Sequence, residues 1–207
     1  MAKRNWLLLL TQLPASASTT RVALWRKLRA AGATSVEHGA WMLPVTNEHR
    51  ELMKSLLAMV QSHDGSASLF EATALDGDDA MEARFSADRA REYREFATRA
   101  QGLLDEVAKE VAASKFTYAE LEEVEDDLQK LETWLKRIIA RDFYAGKDQE
   151  SALDRIAECR RSIAAFSEKV FEAEGFIVLP DLIGIGNILR AMDLLVIQLL
   201  PIQVLIS

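Results

Sequence analysis

Between residues 80 and 175 the chain has no proline and only three glycines, and its apolar residues recur at alternating steps of three and four. That spacing is a heptad seam, which is typical of helices that pack lengthwise against one another. The clearest seam consists of Leu121, Val124, Leu128, Leu131, Leu135 and Ile138. It recurs over residues 93–107 and, less cleanly, over 153–170. We therefore predict three helices, at about 84–113, 117–143 and 149–174, that form an antiparallel bundle over residues 80–175.

Residues 1–76 have a different pattern, with short apolar runs that alternate with short helical repeats. We expect a continuous buried strand at 6–13, a helix closed by Gly32, and strand residues over 34–45 split at Gly39. A second helix, capped by Thr46 or Asn47, and a last strand at 68–74 follow. In the first helix the apolar stripe comprises Val22, Leu24, Trp25 and Leu28. The order βαββαβ predicts a small ferredoxin-like unit, so the fold class is α+β: this unit, then the long bundle.

Residues 176–207 carry only three charges, and their longest uncharged run, residues 194–207, has 14 residues including Pro201. A membrane-spanning helix needs about 18 to 20 apolar residues. We therefore expect an apolar C-terminal tail that is buried or seeks an interface, and not a membrane partner.

Charge is distributed unevenly along the chain. The net charge is −7, yet residues 1–30 contain six basic residues and no acidic one. This asymmetry indicates an anionic partner for the N-terminal unit. The single cysteine, Cys159, excludes a disulfide framework, and the first apolar run is followed by Thr11 and Gln12 without a convincing cleavage site. We expect a cytoplasmic protein.

Candidate residues for catalysis or metal binding are few. The three histidines, His38, His49 and His63, show no spacing typical of metal ligands, and we interpret them as surface or capping residues. Cys159 lies between charged helix residues with no partner histidine in sequence, and a plain helical cysteine is the simpler interpretation. The sequence therefore predicts no enzyme, no metal site and no cofactor apart from a possible oxyanion effector.

The turn before the first helix is the best candidate for an anion site. Ser18, Thr19, Thr20 and Arg21 combine hydroxyls, free helix N-terminal amides and a guanidinium, which suit an oxyanion or a phosphate. The alternative is that Ser18 or Thr19 only caps the helix.

The C-terminal half of the same helix carries Arg26, Lys27 and Arg29, for which we predict contact with DNA phosphates. The alternative is a solvated face that complements the helix dipole. Later arginines, over 84–99, alternate with acidic residues at three- and four-residue spacing and are explained mostly by local pairing. The acidic residues over 120–132 form the solvent-exposed face of a heptad helix, and this face cannot contact DNA.

Four segments resemble the N-terminal domain of ChrB-type chromate-resistance proteins: residues 6–14, 21–33, 38–44 and 131–143. Within them, the sequences Trp-Arg-Lys-Leu at 25–28 and Gly-Ala-Trp-Met-Leu-Pro at 39–44 are fairly specific. The first 75 residues are also similar to the ferredoxin-like middle domain of phenylacetate-type repressors and to the small CRISPR spacer-acquisition nucleases. Those nucleases need a carboxylate for a metal ion at the end of the first strand, where this chain has Thr11 and Gln12.

The ChrB resemblance implies a chromate-responsive regulator that silences a chromate-efflux operon, with promoter DNA and a chromate- or sulfate-like oxyanion as partners. Full-length relatives usually continue into a second domain, whereas this sequence leaves the family pattern near Gly175. We therefore expect a truncated or frame-shifted product, or a stand-alone domain with an added segment. The alternative function is a non-enzymatic helical interaction module without DNA binding, whose heptad helices form a homo-oligomer.

Overall fold

The computed structural model describes residues 4–75 and 78–175, so the predicted tail at 176–207 lies outside the described residues. The sheet consists of strands β1 (Asn5–Gln12), β2 (Thr34–Glu37), β3 (Ala40–Pro44) and β4 (Ser66–Thr73). Two helices, α1 (Ser18–Ala30) and α2 (Asn47–Gln61), connect these strands, and α3 (Asp79–Ala112), α4 (Tyr118–Ile139) and α5 (Lys147–Ala173) follow. The α+β fold class is thereby confirmed.

All neighbouring strands are antiparallel, and their order in the sheet is β2-β3-β1-β4. Together with the βαββαβ element order, this is the ferredoxin-like arrangement that the sequence predicts. Gly39 separates β2 from β3 with a φ of +78°, which glycine adopts without steric cost. Thr46 caps α2, since its hydroxyl accepts the amide hydrogen of His49 at 3.0 Å.

Side chains of β1 are buried on both faces of the sheet, which explains its continuous apolar run. Leu7 and Leu9 pack with buried residues of α1 and α2, among them Leu28 and Leu56. On the other face, Trp6 stacks on Phe85 of α3, with ring centroids 5.4 Å apart.

The described chain divides into two compact units. The first contains the sheet, α1, α2, the α3 residues up to Ala100, and Lys130–Ile156. Here Phe96 of α3 meets Trp134 of α4, with centroids 5.8 Å apart. The second contains Gln101–Gln129 and the α5 residues from Ala157 onward. Here the ring centroids of Phe116 and Phe166 lie 6.0 Å apart. This division falls inside the helices, whereas the sequence suggests a boundary near 76–80.

Most of the predicted heptad seam is buried: Leu121, Val124, Leu131, Leu135 and Ile138 each expose less than a tenth of their surface. The acidic residues of α4 lie mostly on its exposed side, as expected. In the part of the chain that the structure describes, no helix combines the length and apolarity needed to cross a membrane.

Candidate functional site

Helix α1 begins without a side-chain cap, so the expectation that Ser18 or Thr19 caps it is wrong. The N-cap residue is Ala17, and no side chain accepts a hydrogen bond there. The first amides of an α-helix have no partner within the helix, and they remain available to an external acceptor. Ser18 and Thr19 are exposed beside them.

The four predicted anion-binding residues do not converge on one point. Thr20 is buried, and the Arg21 guanidinium donates to the carbonyl oxygen of Pro14 at 2.9 Å. Ser18 and Thr19 instead share an open depression of about 330 Å³ with Val22, Ala23 and Arg26. The structure therefore groups two predicted anion-binding hydroxyls with a predicted DNA-binding arginine.

The apolar stripe predicted for α1 is only half correct. Leu24 and Leu28 are buried, but Val22 and Trp25 are 46% and 52% exposed. Trp25 follows Leu24 by one residue, about 100° around the helix, so it lies at the margin of the buried stripe and not inside it. The sequence predicts a core position for this tryptophan, and the structure instead exposes it next to basic residues of α1.

Arg26 and Lys27 are exposed, and within residues 4–75 and 78–175 neither forms an ion pair. We call the exposed side of α1 formed by Ser18, Thr19, Trp25, Arg26 and Lys27 the α1 basic face. A helix that presents two exposed cations, two hydroxyls, its N-terminal amides and an aromatic ring has the groups that contact phosphates and bases.

Arg29 was predicted to contact DNA, but it belongs to a different site. Its guanidinium lies 3.2 Å from Asp88 and 3.5 Å from Glu92, both on α3. Arg89 also contacts Glu92, at 3.1 Å, and Arg141, which follows α4, contacts it at 2.9 Å. We call Arg29, Asp88, Arg89, Glu92 and Arg141 the guanidinium cluster.

Several neighbours extend the guanidinium cluster. Thr34 of β2 donates its hydroxyl hydrogen to Asp88 at 3.1 Å, and the exposed Arg91 pairs with the same carboxylate. Burial is the main cause that lowers the pKa of Arg89, and the positive charges of Arg141 and Arg29 lower it further, while Glu92 and Asp88 raise it. Since an arginine pKa starts above 12, Arg89 stays charged at neutral pH.

The remaining candidates behave as structural groups. The His49 ring lies 2.8 Å from the Pro44 carbonyl oxygen, and the His63 ring 2.9 Å from that of Met59. Cys159 is fully buried. No group of three or more His, Cys, Asp or Glu side chains suited to a metal ion occurs among the residues that the structure describes.

The fold and the α1 basic face define a class: an α+β protein in which a ferredoxin-like sheet presents a basic helix. The family described as "Protein ChrB, N-terminal" matches residues 21–176. The chain therefore belongs to the ChrB N-terminal family, which is associated with chromate resistance.

A relative from Cupriavidus metallidurans, "Protein ChrB", is 38% identical over 91 residues. The match covers 44% of this chain and 28% of that relative. The chain thus spans less than a third of the relative's length. The function of the full-length relative is therefore assigned to this chain only as a proposal.

Proposed function

We propose that this chain is a chromate-responsive transcriptional regulator that binds promoter DNA through the α1 basic face. Membership of the ChrB N-terminal family supports the association with chromate resistance. A cytoplasmic location is part of the proposal, because the promoter lies there.

The single observation that supports DNA binding is that Arg26 and Lys27 are exposed and have no carboxylate partner among the described residues. Contacts with DNA phosphates need free cations, because a cation already paired with a carboxylate gains little from a phosphate. Arg26 lies beside Ser18 and Thr19, whose hydroxyls also bond phosphate oxygens, and the preceding residue, Trp25, is half exposed. The net charge of −7 does not oppose this, since residues 1–30 carry +6 and the acids lie elsewhere.

The alternative function, a helical interaction module, has less support. Its proposed contact surface is the heptad seam, and most of that seam is already buried within the chain. Residues that fill the chain's own core are not available to a partner without unfolding.

A gel-shift titration with the DNA upstream of the chain's own reading frame tests the proposal. We expect binding at 50 mM salt that weakens strongly at 200 mM, because each neutralised phosphate releases a counterion. The double variant Arg26→Ala, Lys27→Ala should lose about tenfold or more in affinity and show a shallower salt dependence. Added chromate should release the DNA from the unmodified chain.

The matched control is the double variant Lys54→Ala, Arg94→Ala, which removes two exposed cations from α2 and α3. It should bind DNA within about twofold of the unmodified chain. If the chain gives no shift at low salt, or both double variants bind equally well, DNA binding through the α1 basic face is wrong.

A further inference from the structure

The guanidinium cluster contains more positive than negative charge. Asp88 is paired with Arg29 and Arg91, and Glu92 is paired with Arg29, Arg89 and Arg141. The three guanidiniums of the cluster and that of the neighbouring Arg91 thus share two carboxylates. Arginine does not lose its proton in proteins, so the excess positive charge persists at any physiological pH.

Arg89 is the most deeply buried member, and one of its donors is unused. Its side chain is 4% exposed, and Nη1 donates to Glu92. The buried Nη2 has no hydrogen-bond partner among the described residues. A buried donor without an acceptor destabilises a fold, and more so when the group is charged. The structure therefore keeps a buried guanidinium donor to which residues 4–75 and 78–175 supply no acceptor.

The carboxylate of Asp142 is engaged elsewhere. Asp142 follows Arg141 in the chain, but one of its oxygens accepts from the Tyr93 hydroxyl at 2.9 Å and the other from the amide of Tyr144 at 3.2 Å. Asp88 likewise accepts from the Thr34 hydroxyl in addition to its arginines.

The cluster is partly open to solvent at two of its members. The Arg29 side chain is 29% exposed and the Arg141 side chain 19% exposed. Arg141 also lines an open cavity of about 500 Å³, whose other charged lining residues are Arg137 and Glu48. A small ion can therefore approach Arg29 and Arg141 from solvent.

We infer that the guanidinium cluster binds one small tetrahedral oxyanion, a dianion of the size of chromate or sulfate. Arg89 Nη2 donates to one of its oxygens, and Arg29 and Arg141 exchange their contacts with Glu92 for contacts with the ion. Guanidinium donors in planar, bidentate geometry suit such oxygens. The dianion neutralises the excess charge and satisfies the unused donor. That chromate is the ion bound in the cell rests on the proposed function.

The site is connected to the α1 basic face through one helix. Arg29 lies three residues after Arg26, so an ion that draws Arg29 away from Glu92 changes the contacts that hold the end of α1. If the two sites are coupled, bound DNA must weaken the oxyanion affinity by the same factor by which the oxyanion weakens DNA binding.

The test measures binding of sulfate and of chromate to the full chain by isothermal titration calorimetry and thermal shift, at constant ionic strength balanced with chloride. Sulfate has the shape and charge of chromate without its oxidising power, so that arm isolates recognition. We expect saturable 1:1 binding of both ions. Arg29→Gln and Arg141→Gln should each weaken it at least tenfold, while Arg94→Gln, an exposed arginine of α3, stays within twofold.

Glu92→Gln separates a binding role from a purely structural one. This variant removes the carboxylate that competes with the ion, so it should be less stable without oxyanion, bind oxyanion several-fold more tightly, and recover thermal stability when sulfate is added. A loss of stability that sulfate does not restore contradicts the site.

Two results would overturn the inference. One is the absence of saturable oxyanion binding, and the other is an oxyanion affinity of Arg29→Gln and Arg141→Gln that stays within twofold of that of the unmodified chain. Gel shifts in oxyanion-free buffer test DNA binding separately, so failure of the oxyanion site can be distinguished from failure of the proposed function. DNA binding without saturable oxyanion binding removes this site alone, whereas oxyanion binding without any DNA shift removes the regulator proposal alone.

Discussion

The Arg29 guanidinium and the Asp88 carboxylate lie 3.2 Å apart, from Nη1 to Oδ2, although 59 residues separate them in sequence. This ion pair joins α1 to α3 within the first unit, and the Thr34 hydroxyl supports it by donating to the same carboxylate oxygen. Because of it, Arg29 is held by carboxylates of α3, and the exposed cations of the α1 basic face are Arg26 and Lys27.

Replacing Asp88 with Asn should destabilise the chain by about 3 kcal/mol. The amide keeps the size of the side chain but removes the charge that balances Arg29 and Arg91, and uncompensated charges in a partly buried site are costly. Urea denaturation followed by circular dichroism measures the loss.

The control for this prediction is Glu95→Gln, because Glu95 pairs with Arg99 and both side chains are more than half exposed. Exposed pairs contribute little, so this variant should change the free energy of unfolding by less than about 0.5 kcal/mol. Equal effects of the two substitutions would show that the Arg29–Asp88 pair adds nothing to stability.

Trp25→Ala should separate stability from DNA binding. The indole ring is half exposed, so its removal should cost less than about 1 kcal/mol in unfolding free energy, while the affinity for promoter DNA falls several-fold. The neighbouring Leu24 is buried, and Leu24→Ala should cost about 2–5 kcal/mol. Urea titrations and gel shifts of both variants provide the comparison. A Trp25→Ala variant with unchanged DNA affinity would exclude the ring from the interface.

The periodic parts of the fold were predictable from sequence. Steps of three and four along Leu131, Leu135 and Ile138 identify a helix, because a helix brings such positions onto one side whatever its neighbours are. The same holds for the turn at Gly39, whose conformation depends on local sterics. These signals are local, and they were sufficient for the βαββαβ order and the three long helices.

The guanidinium cluster was not predictable in the same way. The pairing of Arg91 with Asp88 and of Arg89 with Glu92 follows from spacing of three residues on α3. The contacts of Arg29 and Arg141 depend on how α1 and the end of α4 pack against α3, and no local spacing encodes that packing. For the same reason Trp25 looked like a core residue: its spacing from Leu28 is helical, and only the packed sheet shows which side of α1 is covered.

Gly39→Ala should destabilise the sheet by at least about 2 kcal/mol. A Cβ atom at this position would lie 2.3 Å from the carbonyl oxygen of Thr11, and the φ of +78° disfavours any residue with a Cβ. The matched control is Gly102→Ala in α3, where no atom lies within 4 Å of the new Cβ. It should stabilise the chain by about 0.5–1 kcal/mol, because alanine favours a helix interior. A destabilised Gly102→Ala variant, or a neutral Gly39→Ala variant, contradicts this reasoning.

Stability should fall as the pH rises above about 10, the ordinary range of tyrosine, and Tyr93 should be the main cause. Burial and the hydrogen bond to Asp142 raise the pKa of Tyr93 far above that range, so the folded chain keeps a proton that the unfolded chain releases. A raised pKa therefore adds stability that is complete below pH 10 and is lost at higher pH.

In Tyr93→Phe the decline between pH 9 and 11 should be shallower, although the hydrogen bond is lost at every pH. Tyr118, which is 39% exposed, has a pKa that is also raised by burial, but less so. Tyr118→Phe should therefore retain most of the loss of stability between pH 9 and 11. Urea midpoints of the unmodified chain and the two variants across this pH range will show whether only Tyr93→Phe reduces that loss.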